Sequence, residues 1–247
     1  MNWTDTLRIR SIDIMTANAG SGACFEGLFM QAVLLDFNGT MFFDTRFHVI
    51  AWSEIYHELH PEDTDPLDQS LICGPCNEAI LKKFAPWLTD EECRQYSERK
   101  EELYRQVCRK NPDSLHLVAG AEQFMQTLRQ KGIPFALASA SIQSNIDFYF
   151  DTFHLGRWFN KEDVVFDNGT YANKGEMHLE AARRLQVPFS QTLVVEDSKF
   201  AISLASQNGA GRIVAIGEQE CGGELLQVGA AHYIRSFNEF DYNWLND

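Results

Sequence analysis

Short wholly apolar runs alternate with segments whose apolar positions recur every three or four residues over most of the chain. The runs at Ala32 to Leu35, Pro134 to Ala138, Val164 to Phe166, Thr192 to Val195 and Arg212 to Ile216, with a weaker one at His232 to Ile234, have the length and β-branched content of buried strands. Helical periodicity fills the intervals near 120–131, 142–152, 175–186 and 198–208. Strands apolar on both faces and separated by helices predict a parallel sheet covered on each side, an α/β doubly wound, Rossmann-like core. One interval departs from this rhythm. Between Thr45 and about Leu117 only amphipathic segments occur, including one that opens Thr89-Asp90-Glu91-Glu92 with capping-box spacing, so an all-helical unit is inserted after the first strand. The expected organisation is a core from 30–44 and 116–247, a helical cap at 45–115, and a loosely attached extension at 1–29.

Three strands run into polar residues: the first into Asp36, the second into Ser139, the fourth into Glu196 and Asp197. In an open parallel sheet the carboxyl ends of strands line the ligand crevice, so these groups should converge, although any buried strand must end in something polar. Clustered carboxylates about 4 Å apart repel by about 4 kcal/mol at an effective dielectric of about 20. A cation must therefore sit among Asp36, Glu196 and Asp197, and hard oxygen ligands suit Mg²⁺. Lys174, opening a helix, supplies a second positive charge if it joins the cluster and is a solvated lysine if it does not.

The chain carries 35 acidic against 21 basic residues, a net charge of −14, and no basic patch, which disfavours nucleic acid as a partner. No apolar run reaches the roughly 18 residues needed to span a bilayer, and the start lacks a secretory pattern. A cytoplasmic protein, monomeric or weakly dimeric and without membrane contact, is expected. Its cysteines are too few for a disulfide scaffold and read as free thiols. Cys73-Gly74-Pro75-Cys76 has thioredoxin-type spacing but lies in the helical insert, which favours a turn before a helix over a redox site. Asp167-Asn168-Gly169-Thr170 reads as a tight hairpin turn next to the site or, the favoured reading, as a plain surface turn.

Asp36-Phe37-Asn38-Gly39-Thr40, Leu137-Ala138-Ser139-Ala140-Ser141, Lys174, and Val194-Val195-Glu196-Asp197-Ser198 resemble, in order and spacing, the four motifs of the haloacid dehalogenase superfamily. The helical insert after the first motif is most similar to its β-phosphoglucomutase-like branch. The resemblance covers roughly 30–245. It implies a hydrolase or phosphotransferase in which Asp36 attacks phosphorus to form an aspartyl-phosphate. Mg²⁺ would be held by Asp36, the Asn38 carbonyl and Asp197, with Glu196 close by. Ser139, Ala140 and the backbone near Gly39 and Thr40 would hold phosphoryl oxygens, and Lys174 would neutralise nucleophile and phosphate together. The implied partner is a small phosphorylated metabolite, with a sugar phosphate favoured.

One departure stands out. The family's phosphotransferases place a second Asp two residues after the nucleophile, where it protonates the leaving oxygen and then deprotonates water; here the residue is Asn38. A carboxamide does neither, and such catalysis is typically worth ~10²- to 10⁴-fold. Either Asn38 is an engineered substitution that traps a substrate, or the chain is naturally slow or silent, or it acts on a substrate whose leaving group needs no proton, or it performs chemistry other than ester cleavage. The last option is disfavoured. The family's dehalogenases use no metal, whereas Glu196-Asp197 is intact, and Asn77 stands where its phosphonate hydrolases carry an imine-forming lysine. In the insert, His48 and Trp52 match a His and a Trp of β-phosphoglucomutases, and Lys100 matches a lysine near the distal phosphate. Helix packing and a solvated helix face are the competing readings. Asn77 also replaces the cap arginine of mutases, which makes a phosphatase preferable to a mutase. A silent phosphometabolite-binding protein is the competing class.

Overall fold

The computed structural model describes residues 29–72, 76–218 and 222–246; the proposed extension, apart from Phe29, and Cys73 to Pro75 of the cysteine motif lie outside them. Six strands, β1 (Ala32–Leu35), β2 (Phe135–Ile142), β3 (Val165–Asp167), β4 (Thr192–Glu196), β5 (Arg212–Ile216) and β6 (His232–Ile234), form one parallel sheet in the order β3-β2-β1-β4-β5-β6. This is the doubly wound arrangement, and the chain reverses its direction of travel across the sheet between β1 and β4. β1 is central and every one of its residues is buried, because apolar side chains on both of its faces meet helices.

Alternation along the strands divides the core in two. Val33, Leu35, Leu137 and Val195 point to the layer containing α4 (Ala121–Gln130) and α5 (Gln143–Phe153), with Phe124, Met125, Ile146 and Tyr149. Leu34, Ala138, Val194 and Ala215 point to the opposite layer, where α6 (Lys174–Arg184), α7 (Lys199–Gln207) and α8 (Gly222–Gln227) place Met177, Ala181, Ile202 and Leu225. Truncating fully buried Leu34 to alanine would cost about 2–5 kcal/mol.

Three helices lie between β1 and α4: α1 (Thr45–Leu59), α2 (Asn77–Phe84) and α3 (Asp90–Arg109). They share a small core of Trp52, Ile55, Ile80, Leu81 and Phe84. The predicted capping box at Thr89 and Glu92 is present at the start of α3. The Asn168-Gly169 segment is the surface turn favoured above and not a hairpin. Gly169 does adopt φ +78°, and Asp167 and Asn168 accept backbone bonds within the turn, but β3 pairs in parallel with β2 and the chain continues into α6. It is a strand-to-helix turn, because no antiparallel partner follows it. α8 was not foreseen: six residues opening on two glycines are too short for periodicity to show.

Candidate active site

The carboxyl ends of β1 and β4 flank the switch point, and there the acidic residues meet. One carboxylate oxygen from each of Asp36, Glu196 and Asp197 lies within 4.8 Å of the others. Lys174, the first residue of α6, reaches across to bond Asp36 Oδ1 and lies 3.1 Å from Glu196 Oε1. Its buried ammonium is held well above the ordinary lysine range; burial opposes this, and Asp36 and Glu196 overcome it. Three carboxylates against one ammonium leave two negative charges when all are ionised. Accordingly, burial pushes the Asp36 carboxyl up to about 7, with Lys174 opposing and Glu196 adding. Burial and the neighbouring Glu196 and Asp36 carboxylates likewise push Asp197 well up. Glu196 is the exception: burial raises it, but Lys174 and His178 bring it down to about 2.

The loop after β1 wraps around one carbonyl. Thr40, Met41 and Phe42 all donate their N–H to Phe37 O, a tight coil that Gly39 permits by adopting φ +72°. A methyl group on Gly39 would sit 2.1 Å from Asp197 Oδ2, so only glycine lets the loop approach that carboxylate. Thr40 is fully buried and its hydroxyl has no hydrogen-bond partner. A hard-oxygen cluster of three carboxyl groups around one ammonium, closed in by a backbone that a Cβ would obstruct, fits a small divalent cation such as Mg²⁺. Asp36, Glu196 and Asp197 are the groups that would hold it.

Behind this cluster lies a second polar assembly. Asn38 Nδ2 donates to Asp44 Oδ2 and to Tyr149 OH at 2.7 Å, while its Oδ1 accepts from Ser141 Oγ at 2.6 Å and from Ser139 Oγ at 3.5 Å. Buried Asp44 also receives Gly39 N at 3.1 Å and Tyr104 OH at 2.6 Å, and its Oδ2 lies 3.2 Å from His48 Nε2. Burial raises the Asp44 carboxyl, but His48, Tyr104 and Asn38 bring it below the usual range. His48 stacks on Tyr104 at 4.1 Å between ring centres, and Lys100 Nζ meets its Nδ1 at 2.8 Å. Lys100 is 2% exposed, not on a solvated face, and its ammonium is paired with Glu101 at 2.8 Å. Trp52 is buried in the three-helix core, with that ammonium 5.3 Å from its ring centre.

The fold therefore brings Asp36, Lys174, Glu196 and Asp197 together, with Gly39 against Asp197 and Asn38 against Ser139. Ala140 is exposed on the far part of β2, and His48 and Lys100 join the cluster through Asp44. Sequence reasoning missed Asp44, which precedes α1 and reads as an ordinary N-cap. Its side chain caps nothing in the helix and turns instead to Asn38 and Gly39. It also missed His178, one turn after Lys174 on α6 and 3.4 Å from Glu196; the four-residue spacing was the available signal. Cys76 is a free thiol whose pKa burial pushes upward, which does not suit a reactive cysteine. Among the described residues, no helix is long and apolar enough to cross a membrane.

A comparison with curated proteins gives no significant match. Among solved structures, a family IA, variant 3 haloacid dehalogenase hydrolase from Entamoeba histolytica HM-1:IMSS is similar over 88% of this chain and 98% of its own, with 31% identity and a TM-score of 0.80. A β-phosphoglucomutase from Clostridium difficile shares the fold at 20% identity and a TM-score of 0.70, over 87% of this chain and 95% of its own. CbbY from Rhodobacter sphaeroides, solved with xylulose-(1,5)bisphosphate, does so at 18% identity and a TM-score of 0.68, over 88% and 99%. The haloacid dehalogenase-like hydrolase family matches residues 30–209, and the chain belongs to that family.

Proposed function

We propose that the protein is a Mg²⁺-dependent phosphatase that takes the phosphoryl group of a small phosphorylated metabolite onto Asp36 and passes it to water. The observation that carries this reading is the convergence of three carboxyl groups, Asp36, Glu196 and Asp197, on the single ammonium of Lys174 at the switch point. The bound cation would neutralise phosphoryl oxygens and lower the repulsion between them and the nucleophile. The chain's own residues do the rest. Lys174 holds the Asp36 carboxylate in place and offsets its charge as the phosphate approaches. Asp36 Oδ forms the new bond to phosphorus. Ser139 and the Thr40 hydroxyl, buried beside the nucleophile's loop, supply hydrogen bonds to the transferred group. The three-helix unit acts as a cap that excludes water and meets the remainder of the substrate.

The cap's chemistry speaks for hydrolysis over mutase action. Asn77, in place of a guanidinium, donates to Glu101 at 2.7 Å and Ser97 at 3.1 Å, and Lys100 is consumed by Glu101 and His48, so neither is free to grip a second phosphate. CbbY from Rhodobacter sphaeroides has been solved with phosphate as well as with a sugar bisphosphate, which supports sugar phosphates as the first panel to try. Asn38 favours a second reading, a silent binder of phosphorylated ligands. Phosphate release with Mg²⁺ over a sugar-phosphate panel, for this chain and for Asn38→Asp, separates the two. Slow release that rises ~10²- to 10⁴-fold in the variant supports a phosphatase. Binding without release in both versions supports the silent protein.

A further inference from the structure

We propose, building on the phosphatase reading, that the physiological donor is an acyl phosphate, a phosphoryl group carried on a carboxyl, because Asn38 has no acidic proton and the side chains that touch it, Asp44, Tyr149, Ser139 and Ser141, are tied into one hydrogen-bonded network with it.

The geometry can be followed group by group. Both amide hydrogens of Asn38 go to Asp44 and Tyr149, and its oxygen receives Ser141 and Ser139. A carboxamide holds no proton it can release at neutral pH. Asp44 accepts from Asn38, Gly39 N and Tyr104, with His48 Nε2 also against it, an acceptor-only arrangement that defines a carboxylate, not an acid. His48 is the ring best suited to proton transfer, yet its Nδ1 faces the Lys100 ammonium and its Nε2 faces Asp44. It keeps no nitrogen for a substrate. Tyr104 gives its hydroxyl to Asp44, and Tyr149 gives its own to Tyr104. Lys174 is bound to the nucleophile itself. Asp36, Glu196 and Asp197 are the groups that would hold the cation. None of these groups has a proton to give the departing oxygen; of the unpartnered polar side chains nearby, Thr40 is an alcohol, too weak an acid for the task, and His178 faces Glu196 at 3.4 Å.

The chemistry selects the donor. Asp36 Oδ attacks phosphorus, the P–O bond to the leaving group breaks, and the electron pair stays on the departing oxygen. When that oxygen belongs to a sugar hydroxyl, it leaves as an alkoxide and the step is slow. When it belongs to a carboxyl, it leaves as a carboxylate, stable without a proton, and the transfer balances as acyl phosphate plus Asp36 carboxylate giving free carboxylate plus aspartyl-phosphate. Water then attacks the aspartyl-phosphate, releasing inorganic phosphate and a proton to solvent and regenerating Asp36. Without a base this second step is the slower one, so the phosphorylated form accumulates.

The test is a graded donor series with the full chain and Mg²⁺: acetyl phosphate, 4-nitrophenyl phosphate, phenyl phosphate and a hexose 6-phosphate. Phosphoryl transfer is followed by phosphate release and by intact mass after acid quench. The expected result is a steep fall in rate along the series and a gain of one phosphoryl mass with acetyl phosphate that Asp36→Ala abolishes. In Asn38→Asp the hexose-to-acetyl rate ratio should rise ~10²- to 10⁴-fold. A shallow series, with the hexose phosphate turned over as fast as the acyl donor by the natural chain, overturns the donor assignment and leaves the phosphatase reading standing. No transfer from any donor overturns the phosphatase reading itself.

Discussion

Gly39→Ala is a sharp test of how the nucleophile loop and the cation cluster depend on one another. Two effects are superposed. A residue with a Cβ at φ +72° pays a left-handed penalty of about 1–2 kcal/mol, and that Cβ would lie 2.1 Å from Asp197 Oδ2 and 2.6 Å from its Cγ. Since real Cβ contacts essentially never fall below 3.0 Å, the carboxylate must retreat by at least 0.9 Å, the difference between 3.0 and 2.1 Å. Misplacement of a positioned group by about 1 Å costs on the order of 10²-fold in rate, and the affinity for Mg²⁺ should fall with it. Gly169→Ala provides the control: φ there is +78°, but a Cβ meets nothing within 4 Å, so it carries the strain without the collision. Calorimetric titration with Mg²⁺ and thermal unfolding of both variants separate the two effects. Both should lose about 1–2 kcal/mol of stability to the left-handed conformation, Gly39→Ala more because of its collision, and only Gly39→Ala should lose metal affinity. Equal metal affinity in the two variants would refute the argument that Gly39 is needed for Asp197.

Two further outcomes follow from the charge arrangement. Lys174→Met removes the one ammonium bound to Asp36; phosphoryl transfer should drop by ~10²- to 10³-fold, and steady-state assays in which the variant keeps its rate would exclude the neutralising role. Glu101, buried between the three-helix unit and α5, accepts from Asn77, Lys100 and Asn145; burial pushes its carboxyl up, but Lys100, His48 and Asn77 hold it down to about 2. Its folded value is below the ordinary 4.5, so it stabilises the fold above that pH, and the contribution disappears as pH falls from about 4.5 towards 2. The drop of 2.5, from 4.5 to 2, corresponds to about 3 kcal/mol. Denaturant unfolding between pH 6 and 3 should show a shallower acid slope in Glu101→Gln, and identical slopes would contradict this.

The strands, their parallel pairing and the acidic strand ends were legible because they rest on local pattern: an apolar run buried on both faces must pair, and the polar residue that ends it must face the crevice. Asp36, Glu196 and Asp197 followed from that rule and from the electrostatic need for a cation, whereas Lys174, which opens a helix, joined them only through its place in the order of motifs that the resemblance supplied. What lay behind them was not legible. Asp44 looks like a helix cap in one dimension, and only the coil around Phe37 O turns it towards Asn38. Lys100 and Glu101 stand side by side in a strongly charged helix and read as solvated, yet α3 packs them between α1 and α5, where Asn145 and His48 complete their bonding. Those contacts join residues 44 or more positions apart, which no periodicity records. The turn at Asn168-Gly169 shows the same limit from the other side: the local conformation was readable, and the strand direction beyond it was not.

The account stands or falls on Asp36 as the atom donor to phosphorus. Acid-quenched chain, incubated with Mg²⁺ and any phosphoryl donor it turns over, can be reduced with borohydride, which converts an aspartyl-phosphate to homoserine at the attacked position. Peptide mass spectrometry should find homoserine at position 36 and nowhere else. Phosphate release that proceeds with position 36 unmodified, or homoserine at another carboxylate, would contradict it.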